Sequence, residues 1–475
     1  MSEKQRLVVV SNRVGPLSDE GKAGGLAVGL ADALRRRGGL WFGWSGETTK
    51  DGTAGEASRE TVGEVELVTI DMTEEELAGF YLGYANRALW PLLHYRLDLV
   101  HFDREADRVY RAVNARVAER LKQFLRDDDI VWVHDYHFFY LGNELRKQGF
   151  TGRLGFFLHI PFSPPEMFAA LPGANDMVRA MLAYDLVGFQ TATDRRNFAN
   201  YAKHELDGQK QPDDRIRVGN RTITAKVFPI GIDAEGFAEF ARSGEAEEHA
   251  AMLRSNVGRS LPIVGVDRLD YSKGIIERLL GFERLLEQYP DRVGGVQFLQ
   301  VAPLSRSEVE EYVDLRGEFE GLVGRINGRF ATLDWTPVHI MTTGLTRRAL
   351  AGIYRAARVC MVTPLRDGMN LVAKEFVAAQ DEADPGVLVL SRFAGARAEL
   401  GEALIVNPYA TDHVANAIER ALRMSLEERQ RRWRAMRDKV FANTAADWCR
   451  AFLDALEAAE PDGGVEALLP EPDSL

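Results

Sequence analysis

The chain has 475 residues, 45% of them hydrophobic and 27% charged, and a net charge of -12. That length suits two domains of roughly 200 residues each, and the composition excludes a disordered or fibrous chain. The acidic balance, with no basic stripe to offset it, argues against nucleic acid as a partner, although local arginines can still form a positive pocket for a phosphorylated substrate.

Two cysteines, Cys360 and Cys449, make no disulfide framework and fit a reducing compartment. The opening MSEKQRLVVV has too short an apolar run for a signal peptide. No stretch approaches the roughly 18 apolar residues of a bilayer span. The expected location is the cytoplasm, with no membrane partner.

In chain order, LVVVSN (7–12), IVWVHD (130–135), RLGFFLHI (153–160) and YDLVGFQT (184–191) read as buried strands, each followed by a loop and an amphipathic segment. This alternation predicts parallel βαβ units in a sheet covered by helices on both faces. The polar DGQKQPDDR interrupts it, and RIRVGNRTITAKVF predicts two short strands around Gly219-Asn220. After FPIGID (228–233) a second series begins, with strands at 261–267, 296–302, 359–364, 387–391 and 403–408. The expected fold class is α/β, two doubly wound Rossmann-like domains over 1–235 and 236–443, facing across a cleft. A helix over 444–459 is expected to cross back to the first domain, and the acidic, proline-containing tail 460–475 to be disordered. Ligands of doubly wound sheets bind beyond the carboxyl ends of the strands, so the loops after the strands hold the candidate site.

Arg13 stands at the end of the first strand. Gly24-Gly25 then opens a helix whose free N–H groups and dipole favour phosphate. The spacing is not GxGxxG, so a dinucleotide fold is not indicated; a tight turn with close helix packing is the alternative. GGLWFGWSGE and LGYANRALWPLLHYR gather Trp41, Trp44, Tyr81, Trp90 and Tyr95 around polar loops. Their rings can pack on sugars or form ordinary core, and Pro91 is expected to break the helix and expose a ring and a base beside it.

In HDYH (134–137), His134, Asp135 and His137 lack a partner set with metal-ligand spacing, and Asp135 is placed to accept from a sugar hydroxyl. The run Asp127-Asp128-Asp129 resembles a DxD metal motif but precedes its strand, and reads as a solvated turn. His159, in LHIPFSPPE, is displayed by a loop that Pro161, Pro164 and Pro165 stiffen.

VGVDRLDYSKGI (264–275) sets Arg268 and Lys273 beside a helix start near Gly274. Two cations at a helix N-terminus make a diphosphate site able to stabilise a departing nucleotide diphosphate; a surface salt bridge to Asp267 or Asp270 is the alternative. In TPLRDGMNLVAKEFVAAQ (363–380), Asp367 sits at a strand–helix junction suited to sugar hydroxyls. Gly368 to Leu371 place backbone N–H groups at the helix start, and Glu375, a turn further on, suits the two hydroxyls of a ribose.

Together SNRVGP…AGGLAVGL, GGLWFGWSGE, LWPLLHYR, HDYH, FFLHIPFSPPE, RLDYSKGI, RINGRF, PLRDGMNLVAKE and VNPY resemble the trehalose-6-phosphate synthases, the family 20 retaining glycosyltransferases of the GT-B fold. The resemblance runs from about residue 6 to 455. It implies an enzyme that transfers glucose from a nucleotide-sugar, UDP-glucose first among the candidates, to glucose 6-phosphate. The first domain would take the acceptor and the second the donor, with no cofactor and no metal. On the donor side it implies Gly24 and Gly25, the diphosphate-binding Arg268 and Lys273, Leu345, and the segment Leu371, Val372, Ala373, Lys374 and Glu375, with Glu375 on the ribose. Asp367 and His159 match groups on the transferred glucose. Arg13, Tyr81, Trp90 and Arg306 match residues around glucose 6-phosphate, and Asp135 a contact to its hydroxyls.

Leu345 stands where some members have a phenylalanine beside the base, which puts nucleotide preference in question. The resemblance also implies a same-face reaction in which the leaving phosphate oxygen takes the acceptor proton. A sister enzyme with another phosphorylated acceptor, a transferase coupling a cyclitol, and a silent sugar-phosphate sensor are the competing readings. Homo-oligomerisation stays open.

Overall fold

The computed structural model describes residues 5–15, 30–31, 34–35, 37–49, 56–305 and 309–459. Its described part falls into two compact units. One ends at Pro229 and resumes at Ala446; the other spans Ile230–Ala445.

The first unit is built on a ten-stranded sheet: β1 (Leu7–Arg13), β2 (Gly39–Thr49), β3 (Ser58–Val62), β4 (Val65–Thr73), β5 (Ile130–His134), β6 (Arg153–Leu158), β7 (Leu186–Phe189), β8 (Gln209–Lys210), β9 (Arg215–Val218) and β10 (Arg221–Val227). Its order is β3-β4-β2-β1-β5-β6-β7-β10-β9-β8. The strands from β4 through β10 pair in parallel, and β3, β9 and β8 join antiparallel at the edges. Every residue of β5 and β7 is buried, as a sheet covered on both faces requires; the edge strand β3 is exposed throughout. The chain builds one side of the sheet from β1, then returns to β5 on the other, so the strand order reverses between β1 and β5.

The closing helix Ala445–Ala458 packs on this sheet: the Phe452 ring stacks on Trp132 at 4.6 Å and Trp448 lies 4.9 Å from the same ring. Gly155 and Gly188 make room for it. A Cβ on Gly155 would come within 2.7 Å of Leu456, and one on Gly188 within 2.8 Å of Phe452, the close approach that glycine in a strand interior permits.

The second unit holds six parallel strands, β11 (Leu261–Val266), β12 (Val296–Val301), β13 (Val338–Met341), β14 (Val359–Val362), β15 (Val387–Ser391) and β16 (Leu404–Val406). Their order, β13-β12-β11-β14-β15-β16, reverses between β11 and β14. Helix Gly244–Val257 packs on Arg347–Ala356, and Ile275–Gln288 on Thr411–Arg423. Among the described residues no helix is long and apolar enough to cross a membrane.

Several expectations need correction. GGLWFGWSGE is the strand β2, not a polar loop; it is flanked by β1 and β4, with Trp41 and Phe42 in the core. Pro91 does not break its helix. A π-helical segment, Leu77–Leu89, runs directly into Trp90–Leu93, and Pro91 sits at the junction where the hydrogen-bond register changes. Trp90 and His94 beside it are buried, not exposed. Asp129 is not solvated: it is buried, paired with Arg6 at 2.7 Å, and accepts the Arg126 N–H. Strands β3, β4, β8 and β13 are not among the expected strands, although VELVTIDMT, which forms β4, carries the β-branched alternation of one. Several of the expected strands end a residue or two early, before Asp135, His159 and Asp267, although the Asp135 and Asp267 N–H groups still donate to the neighbouring strands at Phe157 and Val301. The expected tail 460–475 lies outside the described residues.

Candidate active site

In the first unit the site forms beyond the ends of β1 and β5, where the strand order reverses and doubly wound sheets bind ligands. At the end of β1, the Ser11 hydroxyl donates to the Arg13 carbonyl and accepts from Trp41 Nε1, both at 2.8 Å. The exposed Arg13 side chain leaves the strand over the Trp44 ring, 5.8 Å from its centre, and lies against Gly46. Trp44 is delivered by β2, Tyr81 by the π-helical segment; their rings are 6.1 Å apart, and Tyr81 stacks on His137 at 5.9 Å and 12°. Tyr136 continues the cluster, 4.1 Å from His137 and 5.6 Å from Trp90. Arg13 is thus joined by a continuous run of rings to Tyr81 and Trp90, which lie far along the chain from it on adjoining helical segments. Trp44, His137 and Tyr136 complete it; the sequence points to Trp44 as a ring that can pack on a sugar and to His137 only as a metal-ligand candidate, and it does not single out Tyr136.

Asp135 ends β5 with φ 73 and ψ 170, a conformation essentially confined to glycine. Its Oδ1 accepts the His159 backbone N–H at 3.2 Å, while its own N–H donates to the Phe157 carbonyl. The His159 ring meets that of His134 with Nε2 and Nδ1 3.0 Å apart, and Trp448 packs edge-on at 5.7 Å. Burial pushes the His159 imidazole down to about 3 and holds His134 well below its ordinary value, with repulsion from His159 adding to the second shift. Both rings are neutral donor–acceptors at pH 7. Gly24, Gly25 and Arg306 lie outside the described residues.

In the second unit the site forms where β11 and β14 end. Asp270 accepts the backbone N–H and hydroxyl of Ser272 and the hydroxyl of Tyr312, which fixes the turn Tyr271–Lys273. Gly274 follows at φ +60, where a Cβ would stand 2.3 Å from the Thr363 carbonyl; only glycine closes this turn against the neighbouring loop. Arg268 is exposed. Lys273 donates to Asp367 at 2.5 Å across the two loops. The alternative reading, a surface salt bridge of these cations to Asp267 or Asp270, does not hold: Lys273 pairs with Asp367. Asp267 instead pairs at 2.6 Å with Arg278, a fully buried guanidinium that also donates to Thr363 and Gln300.

Helix Leu371–Ala379 starts at Asn370 without a side-chain cap, leaving its first N–H groups available to an anion. Leu371, Val372 and Glu375 are half-buried, whereas Ala373 and Lys374 turn into the core. Lys374 Nζ donates to the Ile230 carbonyl and to Glu399, so for these two residues only the backbone faces outward. Burial pushes the Glu375 carboxyl up to about 7, against the pull of Arg347. Leu345 is half-buried just before the helix that Thr346 caps. Among the described residues no group of three or more His, Cys, Asp or Glu side chains is gathered as a metal would need.

Each unit therefore ends its central strands in polar groups of distinct chemistry. The family model for "Glycosyltransferase family 20" matches residues 5–458. A trehalose-6-phosphate synthase of Sodalis glossinidius is 45% identical over 455 residues, 95% of this chain and 96% of the relative. A UDP-forming α,α-trehalose-phosphate synthase from Burkholderia xenovorans, solved in complex with glucose 6-phosphate, superposes with a TM-score of 0.92 at 46% identity, covering 95% of this chain and 100% of that one. A structure from E. coli bound with UDP-2-fluoro glucose gives 0.92 at 45% identity, covering 96% and 100%. The fold is GT-B, and the chain belongs to glycosyltransferase family 20.

Proposed function

We propose that the chain transfers glucose from UDP-glucose to glucose 6-phosphate with retention, giving α,α-trehalose 6-phosphate and UDP. The observation that carries this reading is the loop pair of the second unit, where Lys273 meets Asp367 close in sequence to the uncapped start of Leu371–Ala379, with Arg268 exposed in the same loop as Lys273. Two cations and free backbone N–H groups suit a diphosphate, and a carboxylate beside them suits sugar hydroxyls. The relatives that are UDP-forming, bound to glucose 6-phosphate or bound to a fluorinated UDP-glucose support the same substrates.

On this reading the second unit takes the donor. Arg268 and Lys273 hold the diphosphate and stabilise the charge that grows as the glycosidic bond breaks. Glu375 receives the ribose; Leu345, Gly24, Gly25 and the backbone of Leu371 to Glu375 complete the donor contacts. Asp367 and His159 hold the transferred glucose. The first unit takes the acceptor, with Arg13 and Arg306 on its phosphate, Tyr81 and Trp90 around it, and Asp135 on its hydroxyls. The proton of the acceptor's C1 hydroxyl passes to the departing phosphate oxygen as the new C–O bond forms on the same face. The two cations supply the charge that a metal ion supplies elsewhere, so the reaction proceeds without one and without a cofactor. A cytoplasmic location, where both substrates are made, fits the two free cysteines.

The test is NMR analysis of the product from UDP-glucose and glucose 6-phosphate in EDTA. An α,α-1,1-linked phosphorylated disaccharide is expected. A β-linked product would sink retention, and activity only after a divalent metal is restored would sink the metal-free chemistry.

A further inference from the structure

Asn370 closes the loop after β14 with φ 75 and ψ 91, a positive φ that asparagine adopts more readily than most non-glycine residues. It is buried, and its Nδ2 donates to Asp367 Oδ2 at 3.1 Å and to Asp267 Oδ1 at 3.3 Å. Two facing carboxylates fix which end of the amide points at them, because only the NH2 end can donate. Asp267 is itself held by the fully buried Arg278. Asn370 therefore joins the site carboxylate, Asp367, to a rigid frame inside the unit.

Asp367 Oδ2 receives two donors, Asn370 Nδ2 and Lys273 Nζ. They differ in what a donor molecule does to them. Lys273 is a mobile point charge on a flexible stem, and a nucleotide diphosphate competes with Asp367 for it. Asn370 has no charge to be drawn away and is anchored on its far side by Asp267.

We propose that Asn370 is a positioning residue for sugar transfer. Its amide keeps Asp367 Oδ2 in place while Lys273 turns from the carboxylate to the diphosphate, so that Oδ1 stays aimed at the sugar hydroxyls. This rests on the donor site proposed above. If Asn370 were present only for its positive φ, glycine would replace it without loss.

Asn370→Gly keeps the backbone conformation and deletes the amide. It is expected to fold, to bind UDP in calorimetry as the wild type does, and to turn over about 10- to 100-fold more slowly, as befits one lost hydrogen bond to a charged group. Asn370→Asp is isosteric but sets a third carboxylate beside Asp267 and Asp367, and is expected to lose at least as much. Turnover of Asn370→Gly within about twofold of wild type overturns the proposal. So does weaker UDP binding by the same factor as the rate, which would place the role at the helix start instead of at Asp367. If Asn370→Gly does not fold, Asn370→Asp decides by the same two readouts. Hydrolysis of UDP-glucose without acceptor is measured alongside, so the variant-to-wild-type ratio is read even if the acceptor assignment fails. Product formation by the wild type tests that assignment separately.

Discussion

Beyond β11 and β14, Arg278, Asp267, Asn370, Asp367 and Lys273 form one connected run of charged and amide groups, while beyond β1 and β5 the run is of rings, from Trp44 through Tyr81, His137 and Tyr136 to Trp90. Both sit at the same topological position, the reversal of a doubly wound sheet. The contrast shows that topology supplies the place and side chains the chemistry. A charge frame suits a diphosphate whose charge changes during the reaction. A run of rings that is buried from His137 to Trp90 and reaches the surface at Trp44 and Tyr81, with the exposed Arg13 beside it, suits a sugar bearing a fixed charge.

The largest expected effect tests that division directly. Lys273→Ala should lower turnover about 10²- to 10³-fold, the range for removing one transition-state stabiliser, with little change in the KM for glucose 6-phosphate. Trp90→Ala should do the reverse, raising the acceptor KM more than it lowers turnover. Steady-state kinetics with both substrates varied checks this, and a K273A variant whose main defect is in acceptor KM would erase the distinction between the two runs.

A second contrast lies in the backbone. Both sites carry a non-glycine residue at positive φ, Asp135 and Asn370, but Asp135 occupies the region that is nearly confined to glycine. Asp135→Gly should therefore be more stable than Asp135→Ala by about 1–3 kcal/mol, while both raise the acceptor KM. Urea unfolding of the two variants measures the difference; equal stabilities would mean that the strand end relaxes and stores no strain.

The second site was far more legible in the sequence than the first, and for a physical reason. Its residues lie in two short segments, RLDYSKGI and PLRDGMNLVAKE, each spanning one strand end and one helix start, so local pattern and site coincide. What stayed hidden was longer in range. The Lys273–Asp367 pair bridges the two segments, and the inward turn of Lys374 depends on helical phase against Ile230 and Glu399. In the first unit the run of rings depends on β2, whose glycines and polar residues mask its strand pattern, and on a π-helical segment whose changed periodicity no 3.6-residue reading detects. Aromatic clustering was visible in WFGW and LWPLLHYR, but which rings face the site and which fill the core was not. Trp41 proved to be core and Trp44 part of the run.

The smallest expected effect, on the order of 1 kcal/mol per pH unit, separates the two units by sign. His159 is held near 3 by burial, against an ordinary value of 6.5. An unfolded chain takes up that proton near 6.5 and the folded one does not, so this stability is present above 6.5 and is lost as pH falls toward 3. Glu375 is pushed up to about 7 from an ordinary 4.5. Here the folded chain keeps a proton that the unfolded chain has released, so stability is fully present below 4.5 and is lost as pH rises through 7. Both groups are partly open to water, which reduces each effect below the full one-proton slope of about 1.4 kcal/mol per pH unit. Unfolding free energies of the wild type, His159→Gln and Glu375→Gln, measured from pH 5 to 8, isolate the two contributions as differences. The wild type should lose ground to His159→Gln on the acid side and to Glu375→Gln as pH rises toward 7. If both differences ran the same way, burial would not be what sets the two groups apart, and water reaching one of the two sites would have to be invoked instead.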